Sequence, residues 1–404
     1  MDMVLELHMI QNFAPSNLNR DEDNQPKDCV FGGYRRARIS SQCIKRSVRN
    51  HPAFTRAVEA AGGDLGKRTK RLKDELIKGM EARGKAPAEA ETVARNLIGL
   101  LGLGFKGEKT QYLLFLGQGE IEEILDVALK DWDDLTKAVV VKKGKKGRGE
   151  EDEVDEGEDA SSDKKPTVPK ELKETEKRLK EIVGNERKTA KGYAADIALF
   201  GRMIADKKSM NVDAACQVAH VISTNKVEME TDFFTAVDDL LPDEETGSDM
   251  MGGVEFNSSC FYRYSLVNLR KLAENLGFNK DLLNGTVRGY IEASIKAIPT
   301  GHQNSMAAHN PPSFVRAILR RDGFPWNLAN AFQEPVRRTN GKTLERLAID
   351  RLNEYYQNLS RIYGTGGVVC DVFFDCADAD SLDMTGLCNE VLQALDRSEQ
   401  GEES

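Results

Sequence analysis

A run of basic residues from Lys142 to Arg148 gives way at Glu150 to an acidic run that ends at Asp159. Segregated charge of this density carries too little apolar surface to offset the entropy of ordering a backbone. Residues 142–169 are therefore expected to form a flexible inserted loop, and any core has to be assembled from what precedes and follows it. At 404 residues the chain is long enough for two or three compact units, or for one elaborated domain. Hydrophobic residues at 40% and charged residues at 30% suit a folded protein with polar insertions.

Several function classes are disfavoured early. No apolar run approaches the roughly 20 residues that span a bilayer. Residues 1–10 lack the basic start and long apolar stretch of a signal peptide, so the expected location is the cytoplasm, with no membrane partner. The seven cysteines contain no Cys-x-x-Cys pair and are odd in number, which speaks for reduced, mostly buried thiols. Of the five histidines only His302 and His309 are near neighbours, and no spacing resembles a zinc module. Neither a metal nor a cofactor is expected. The net charge of −9 gives no sign of a nucleic-acid partner, so the distribution of charge has to decide.

Strands are expected at residues 3–10, 195–200, 260–267, 314–319 and 368–374, with an extended segment at 30–39 turning through Gly32 and Gly33. Residues 112–116 fit a buried strand or a helical segment. Helices fit 41–50, much of 54–101, 170–183, 212–222, 266–276, 281–298, 344–363 and 384–395. Dispersed strands separated by helices indicate an α+β fold, with a sheet carrying helices on one face.

The strongest local signal lies between Arg35 and Arg49. Arg35, Arg36, Arg38, Lys45, Arg46 and Arg49 occur there without one Asp or Glu, although the chain as a whole is acidic. Ser40 can cap the helix that starts at Ser41, and the unpaired N–H groups and dipole of that helix end favour a phosphate beside the positive charge. Cys43, Ile44, Ser47 and Val48 make an inward stripe, while Gln42, Lys45, Arg46 and Arg49 take the other side. Lys45 and Arg49, one helical turn apart, can follow a phosphate backbone.

Two enzymatic patterns compete. Gly102, Gly104 and Gly107 fit G-x-G-x-x-G, but the run follows a helical apolar segment and lacks the strand that a dinucleotide fingerprint needs. Asp21, Glu22 and Asp23 beside Arg20 could hold a divalent metal near an RNA phosphate, which would make the chain a metal-dependent RNase using Asp21 or Asp23. A polar loop balancing Arg20 is the simpler account of the same residues.

Several ordered blocks are specific enough to carry a family likeness. Gln11-Asn12-Phe13-Ala14-Pro15-Ser16-Asn17-Leu18-Asn19-Arg20-Asp21, then Lys27-Asp28, then Phe31-Gly32-Gly33-Tyr34-Arg35-Arg36-Ala37-Arg38-Ile39-Ser40-Ser41-Gln42 closely resemble the CasC family, the repeated backbone subunit of the type I-E CRISPR Cascade complex. Gly201-Arg202-Met203, Asp232-Phe233-Phe234-Thr235-Ala236-Val237-Asp238-Asp239-Leu240, Phe261-Tyr262-Arg263-Tyr264 and Asn330-Ala331-Phe332 extend the likeness over most of the chain.

The resemblance implies an RRM-like (ferredoxin-like) palm, a helical finger insertion and a protruding thumb. The palm is expected at residues 1–50, 191–223 and 259–404, the finger region at 51–190 and the thumb at 224–258. By motif position Arg20, Lys27, Ser40, Gln42, Lys45, Arg46 and Arg49 would contact RNA, and Met203 would lie against bases; Arg35 and Arg36 join them from the basic stretch. Phe233 and Phe234 would occupy the aromatic thumb position and wedge against bases. The implied function is non-catalytic: a scaffold that polymerises along CRISPR RNA, meets target DNA through guide pairing, and assembles with further copies of itself and with other Cascade subunits. A stand-alone RNA-binding module is the remaining alternative. The aromatic signature of ordinary RRMs is not evident, so recognition is expected to be of backbone and shape, with base pairing reading the sequence.

Overall fold

The opening strand β1 (Val4–Ser16) is the spine of the fold and runs well past the segment expected from sequence. The computed structural model describes residues 3–138, 168–185, 192–205, 207–237, 248–339 and 341–400. Of the charged segment 142–169 only Val168 and Pro169 fall within them, so the loop expectation lies otherwise outside the described residues. The chain divides into two units, one formed by Met1–Gly63 with Ala214–Ser404 and the other by Asp64–Asp213.

In the first unit β1 is followed by β2 (Asp28–Phe31), β3 (Tyr34–Ile39), α1 (Ser41–Arg49) and α2 (Pro52–Ala60). After the second unit come β4 (Cys216–Val218), β5 (Val221–Ser223), β6 (Glu230–Val237), β7 (Ser248–Asn268), α3 (Leu269–Asn275) and α4 (Lys280–Lys296). The chain closes with β8 (Phe314–Arg320), α5 (Leu344–Tyr363), β9 (Val368–Asp375) and α6 (Met384–Gln400). The strands form one antiparallel sheet in the order β9-β8-β1-β7-β5-β3-β2, with β4 and β6 also pairing with β7. Its inner strands β8, β1, β7 and β5 stand in the spatial order fourth, first, third, second. Helices cross between the first and second and between the third and fourth, which is the ferredoxin-like arrangement expected of the palm.

Side chains alternate across a strand, so Leu5, Leu7 and Met9 share one face of β1 and Glu6, His8 and Ile10 the other. Both faces are buried. On the first, Arg263 reaches the Ser294 carbonyl of α4 at 2.7 Å, and Ser398 of α6 meets Met3. On the second, Ile10, Tyr262, Phe314 and Ile318 pack with Ala348, Ile349, Leu352 and Tyr356 of α5. Helices therefore cover both faces, where the sequence pattern suggested one. Glu6 and His8, the polar residues of that face, find partners within the fold. Glu6 Oε1 accepts from Tyr264 Oη at 2.9 Å and from the Trp326 N–H at 2.7 Å, with Arg320 Nε 3.4 Å from its other oxygen. His8 Nδ1 lies in hydrogen-bond contact with Tyr262 Oη at 2.9 Å.

Two elements differ in kind from expectation. Residues 195–200 form a helix, Ala195–Phe200, buried from Ala195 to Leu199 and ended by Gly201 at φ +76°. An apolar run this short has no periodicity to tell helix from strand. Residues 212–222, read as a helix, contain β4 and β5, because β7 offers pairing: Val218 opposes Ser265, Cys216 opposes Val267, and Ile222 opposes Tyr262. The expected strand at 260–267 is the second half of β7, which begins twelve residues earlier, and the remaining expected strands and helices lie within a few residues of β8, β9, α3, α4, α5 and α6.

The second unit is mainly helical. Leu72–Glu81, Pro87–Leu100, Gln118–Lys130 and Lys173–Val183 bury Leu76, Ile98, Ile124 and Leu179 around the short strand Leu114–Gly117. The glycine run at 102–107 leads into a hairpin, Phe105–Lys106 against Lys109–Thr110, and not into a helix. Among the described residues no helix is long and apolar enough to cross a membrane.

Candidate nucleic-acid interface

The basic stretch folds into a hairpin followed by a capped helix. Gly32 and Gly33, at φ +61° and +84°, make the two-residue turn between β2 and β3. Gly32 also permits a close approach, since a Cβ there would stand 2.0 Å from the Gln333 carbonyl oxygen. At the far end of β3, Ser40 Oγ accepts from the Cys43 N–H at 3.3 Å and caps α1. The first turn of α1 carries no acidic residue, and the N–H groups of Ser41 and Gln42 have no partner among the described residues. Ile44 and Val48 are the buried positions of the helix; Gln42 and Arg46 are exposed, and Lys45 and Arg49 half-buried beside them.

The loop between β1 and β2 supplies the opposite wall. Asn19, which the sequence reading did not single out, is its hub. Its side-chain oxygen accepts from the Ser40 N–H at 2.8 Å and its carbonyl from the Lys27 N–H at 2.9 Å, so the capped helix start and Lys27 are tied to one residue. Asn19, Arg20 and Asn24 then face Arg46 and Ser47 across a cleft of about 390 Å³, with Thr300 and Gly301 at its third side. Asp21 and Glu22 also line it, but Asp21 Oδ1 accepts the N–H groups of Asp23 (3.0 Å) and Gln25 (2.9 Å) and shapes the loop.

Two histidines serve the arginines here. Arg20 Nη1 lies 3.3 Å from His302 Nε2, and Arg38 Nη1 3.3 Å from His220 Nδ1. Burial, then Arg20, lowers the pKa of His302; burial, then Arg38 and Lys27, lowers that of His220. Both rings are therefore neutral acceptors at physiological pH. Arg38, although part of the basic stretch, was not among the expected contact residues.

Arg36 has a different task from the one its neighbours suggested. Its side chain is fully buried, with Nη1 donating to the carbonyls of Ser223 (3.0 Å) and Thr224 (2.8 Å) and Nη2 to those of Phe332 (2.7 Å) and Gln333 (3.1 Å). A guanidinium so engaged cannot reach a phosphate, and Arg36 leaves the set of contact residues. Alternation along β3 explains the difference: Arg36 points inward, while Arg35 points outward and pairs with Asp28.

Phe233 and Phe234 stand on β6, which pairs with residues 248–256 of β7 beyond the end of the β1 pairing at Ser16 and Asn257. They are exposed by 65% and 42%, so they are not a packed core cluster. In the second unit, Arg202 is buried against Glu120 at 2.9 Å and donates to the carbonyls of Met210, Phe115 and Val183. This anchor leaves the adjacent Met203 86% exposed.

A capped helix start and two cations, Arg20 and Arg46, around an open cleft can hold phosphates without distinguishing bases. A family model described as CT1975-like protein matches residues 5–395. The chain belongs to that family. The resemblance to CasC read from the sequence is in keeping with it. This CT1975-like chain is also similar to a chain of a CRISPR RNA-guided surveillance complex, pre-nicking, at 28% identity and TM-score 0.75, covering 97% of this chain and 99% of that one. A chain of a second CRISPR RNA-guided surveillance complex, at 24% identity and TM-score 0.64 with 97% and 99% covered, shares the fold. Among curated proteins none matches.

Proposed function

We propose that the chain is a non-catalytic CRISPR RNA-binding backbone subunit of a type I-E Cascade surveillance complex, polymerising along guide RNA and supporting guide–target DNA pairing. The observation that carries this reading is the cleft between Arg20 and Arg46 beside the open start of α1, in a fold similar over nearly its whole length to a surveillance-complex chain. Arg20, Lys27, Arg35, Ser40, Gln42, Lys45, Arg46 and Arg49 would hold guide phosphates. An arbitrary guide can be carried only by such sequence-blind contacts, and specificity then comes from base pairing. The sheet of the first unit would act as palm, the ribbon of β6 and β7 as thumb, and the helical unit as finger region. Met203 would lie against bases. The partners are CRISPR RNA, target DNA through pairing, further copies of the chain and other Cascade subunits, in the cytoplasm.

The test is purification of the chain from its native host and sequencing of its bound RNA. A uniform small RNA carrying several chain copies is expected. A heterogeneous RNA pool bound by single copies would replace the scaffold by a stand-alone RNA-binding module. Metal-dependent cleavage of RNA that is lost in D21A or D23A would replace it by the nuclease.

A further inference from the structure

Arg20 is held by two residues in an unusual backbone state. Its Nη1 donates to Asn24 Oδ1 at 2.6 Å and lies 3.3 Å from His302 Nε2. Because arginine has no acceptor, His302 must present an unprotonated Nε2 and carry its proton on Nδ1. Asn24 and His302 lie at φ +67° and +46°, in the left-handed region that side chains other than glycine rarely adopt. Both are braced. Asn17 Nδ2 donates to the Asn24 carbonyl at 3.2 Å, and the turn around Asn24 closes through the Asp21 N–H to the Gln25 carbonyl at 2.9 Å. Gly301 rests on the backbone leading into Arg20, since a Cβ there would stand 2.5 Å from the Leu18 carbonyl oxygen and 2.7 Å from that of Asn17.

We infer that Asn24 and His302 are positioning residues that fix the Arg20 guanidinium so that its Nε–Nη2 edge is offered to an RNA phosphodiester. The inference rests on the proposed RNA interface and adds two residues to it. A guanidinium has five N–H donors. Asn24 and His302 take both on Nη1, while Nε and Nη2 have no partner among the described residues. Those two atoms form the fork that matches two phosphate oxygens. The restraint has a purpose in this sequence, because Asp21 and Glu22 follow directly and line the same cleft. A free Arg20 could fold back onto either carboxylate, yet no such pair forms among the described residues.

The experiment uses the full chain and a labelled single-stranded RNA, with affinity measured at pH 8 over a range of salt concentrations. R20A should bind more weakly and reduce the log–log salt slope by about 0.7. H302A should weaken binding by about fivefold, the worth of one oriented hydrogen bond, and should also flatten the salt slope. The second readout is diagnostic, since His302 is neutral at pH 8 and can change the count of phosphate contacts only through Arg20. H302Q restores an acceptor and should recover part of the loss, and R20A/H302A should bind no more weakly than R20A. N24G keeps the left-handed backbone accessible, removes the other acceptor and should copy H302A, so the test survives if H302A fails to fold. Should R20A lower affinity and slope while H302A and N24G leave both unchanged, the inference falls and the RNA interface stands. A double variant weaker than R20A, or an H302Q as weak as H302A, would likewise overturn it. If R20A itself changes neither quantity, the interface reading fails.

Discussion

Across the ribbon the Phe234 ring lies over Gly252, so closely that a Cβ on that glycine would stand 2.5 Å from Phe234 Cζ. Phe233 faces Gly253, and because neighbouring side chains alternate it leaves the opposite face of the ribbon. The two rings therefore cannot form one wedge, and Phe233, the more exposed, is the better placed to meet a base. Aromatic–base contact is worth roughly 1–3 kcal/mol. In the assembled complex F233A is expected to speed DNA dissociation at least fivefold and F234A less, while thermal unfolding of each isolated subunit shifts little. A large loss of subunit stability with unchanged DNA dissociation would make the pair structural.

Arg36 makes the reverse case. Replacing it with Ala strands the carbonyls of Ser223, Thr224, Phe332 and Gln333, which fasten β3 to the segment around Phe332. Buried acceptors left without a donor cost about 1–3 kcal/mol each before relaxation. R36A should lower unfolding stability by about 3 kcal/mol or more, and any protein that remains folded should keep the wild-type salt slope for RNA. A stable R36A protein with a flattened slope would return Arg36 to the phosphate contacts.

The contrast between Arg36 and Arg46 shows where the sequence was legible. Local chemistry was readable: Ser40 caps α1, Gly32 and Gly33 turn the hairpin, and residues 344–363 form the helix their spacing predicts. Which cation faces solvent depends on tertiary packing, and a run of positive charge does not reveal that one of its members binds four carbonyls from two distant segments. The same limit hid the second helical layer. Glu6 and His8 are buried on the face it covers, and their partners, Tyr264, Trp326 and Tyr262, are remote in sequence. Asn19 and His302 stayed out of the expected site for a related reason, since neither carries charge at neutral pH and each matters through what it holds.

Along α1 the expected effects follow exposure. Arg46 lines the cleft and Gln42 precedes it by one turn, while Lys45 and Arg49 are half-buried. R46A should reduce the salt slope of RNA binding by about 0.7, the share of one phosphate on a single strand, and K45A/R49A by at most twice that. The loss should be equal for two RNAs of unrelated sequence. An unchanged slope in both proteins would make α1 a solvated helix, and a loss confined to one RNA would indicate base reading.

The buried ring of His8 sets a pH dependence of stability. Burial, with Arg316 and Arg320 adding to it, pushes its pKa down to about 3, against an ordinary 6.5 in the unfolded chain. A base whose folded pKa is depressed takes up its proton first in the unfolded state, so its contribution is complete above pH 6.5 and is lost as pH falls towards 3. At pH 5 the loss is about 2 kcal/mol, from 1.36 kcal/mol per pH unit. Glu6, raised from 4.5 mainly by burial, works in the opposite sense, because its folded form keeps a proton that the unfolded chain has released. The clean quantity is therefore the difference between wild type and H8Q, in which Tyr262 can still donate to the amide oxygen and Glu6 is untouched. Denaturant unfolding at pH 7 and pH 5 should show wild type losing about 2 kcal/mol more than H8Q. Equal losses in the two proteins would mean that the native state takes up a proton at His8 as readily as the unfolded chain does, and that burial beside Arg316 and Arg320 does not depress its pKa.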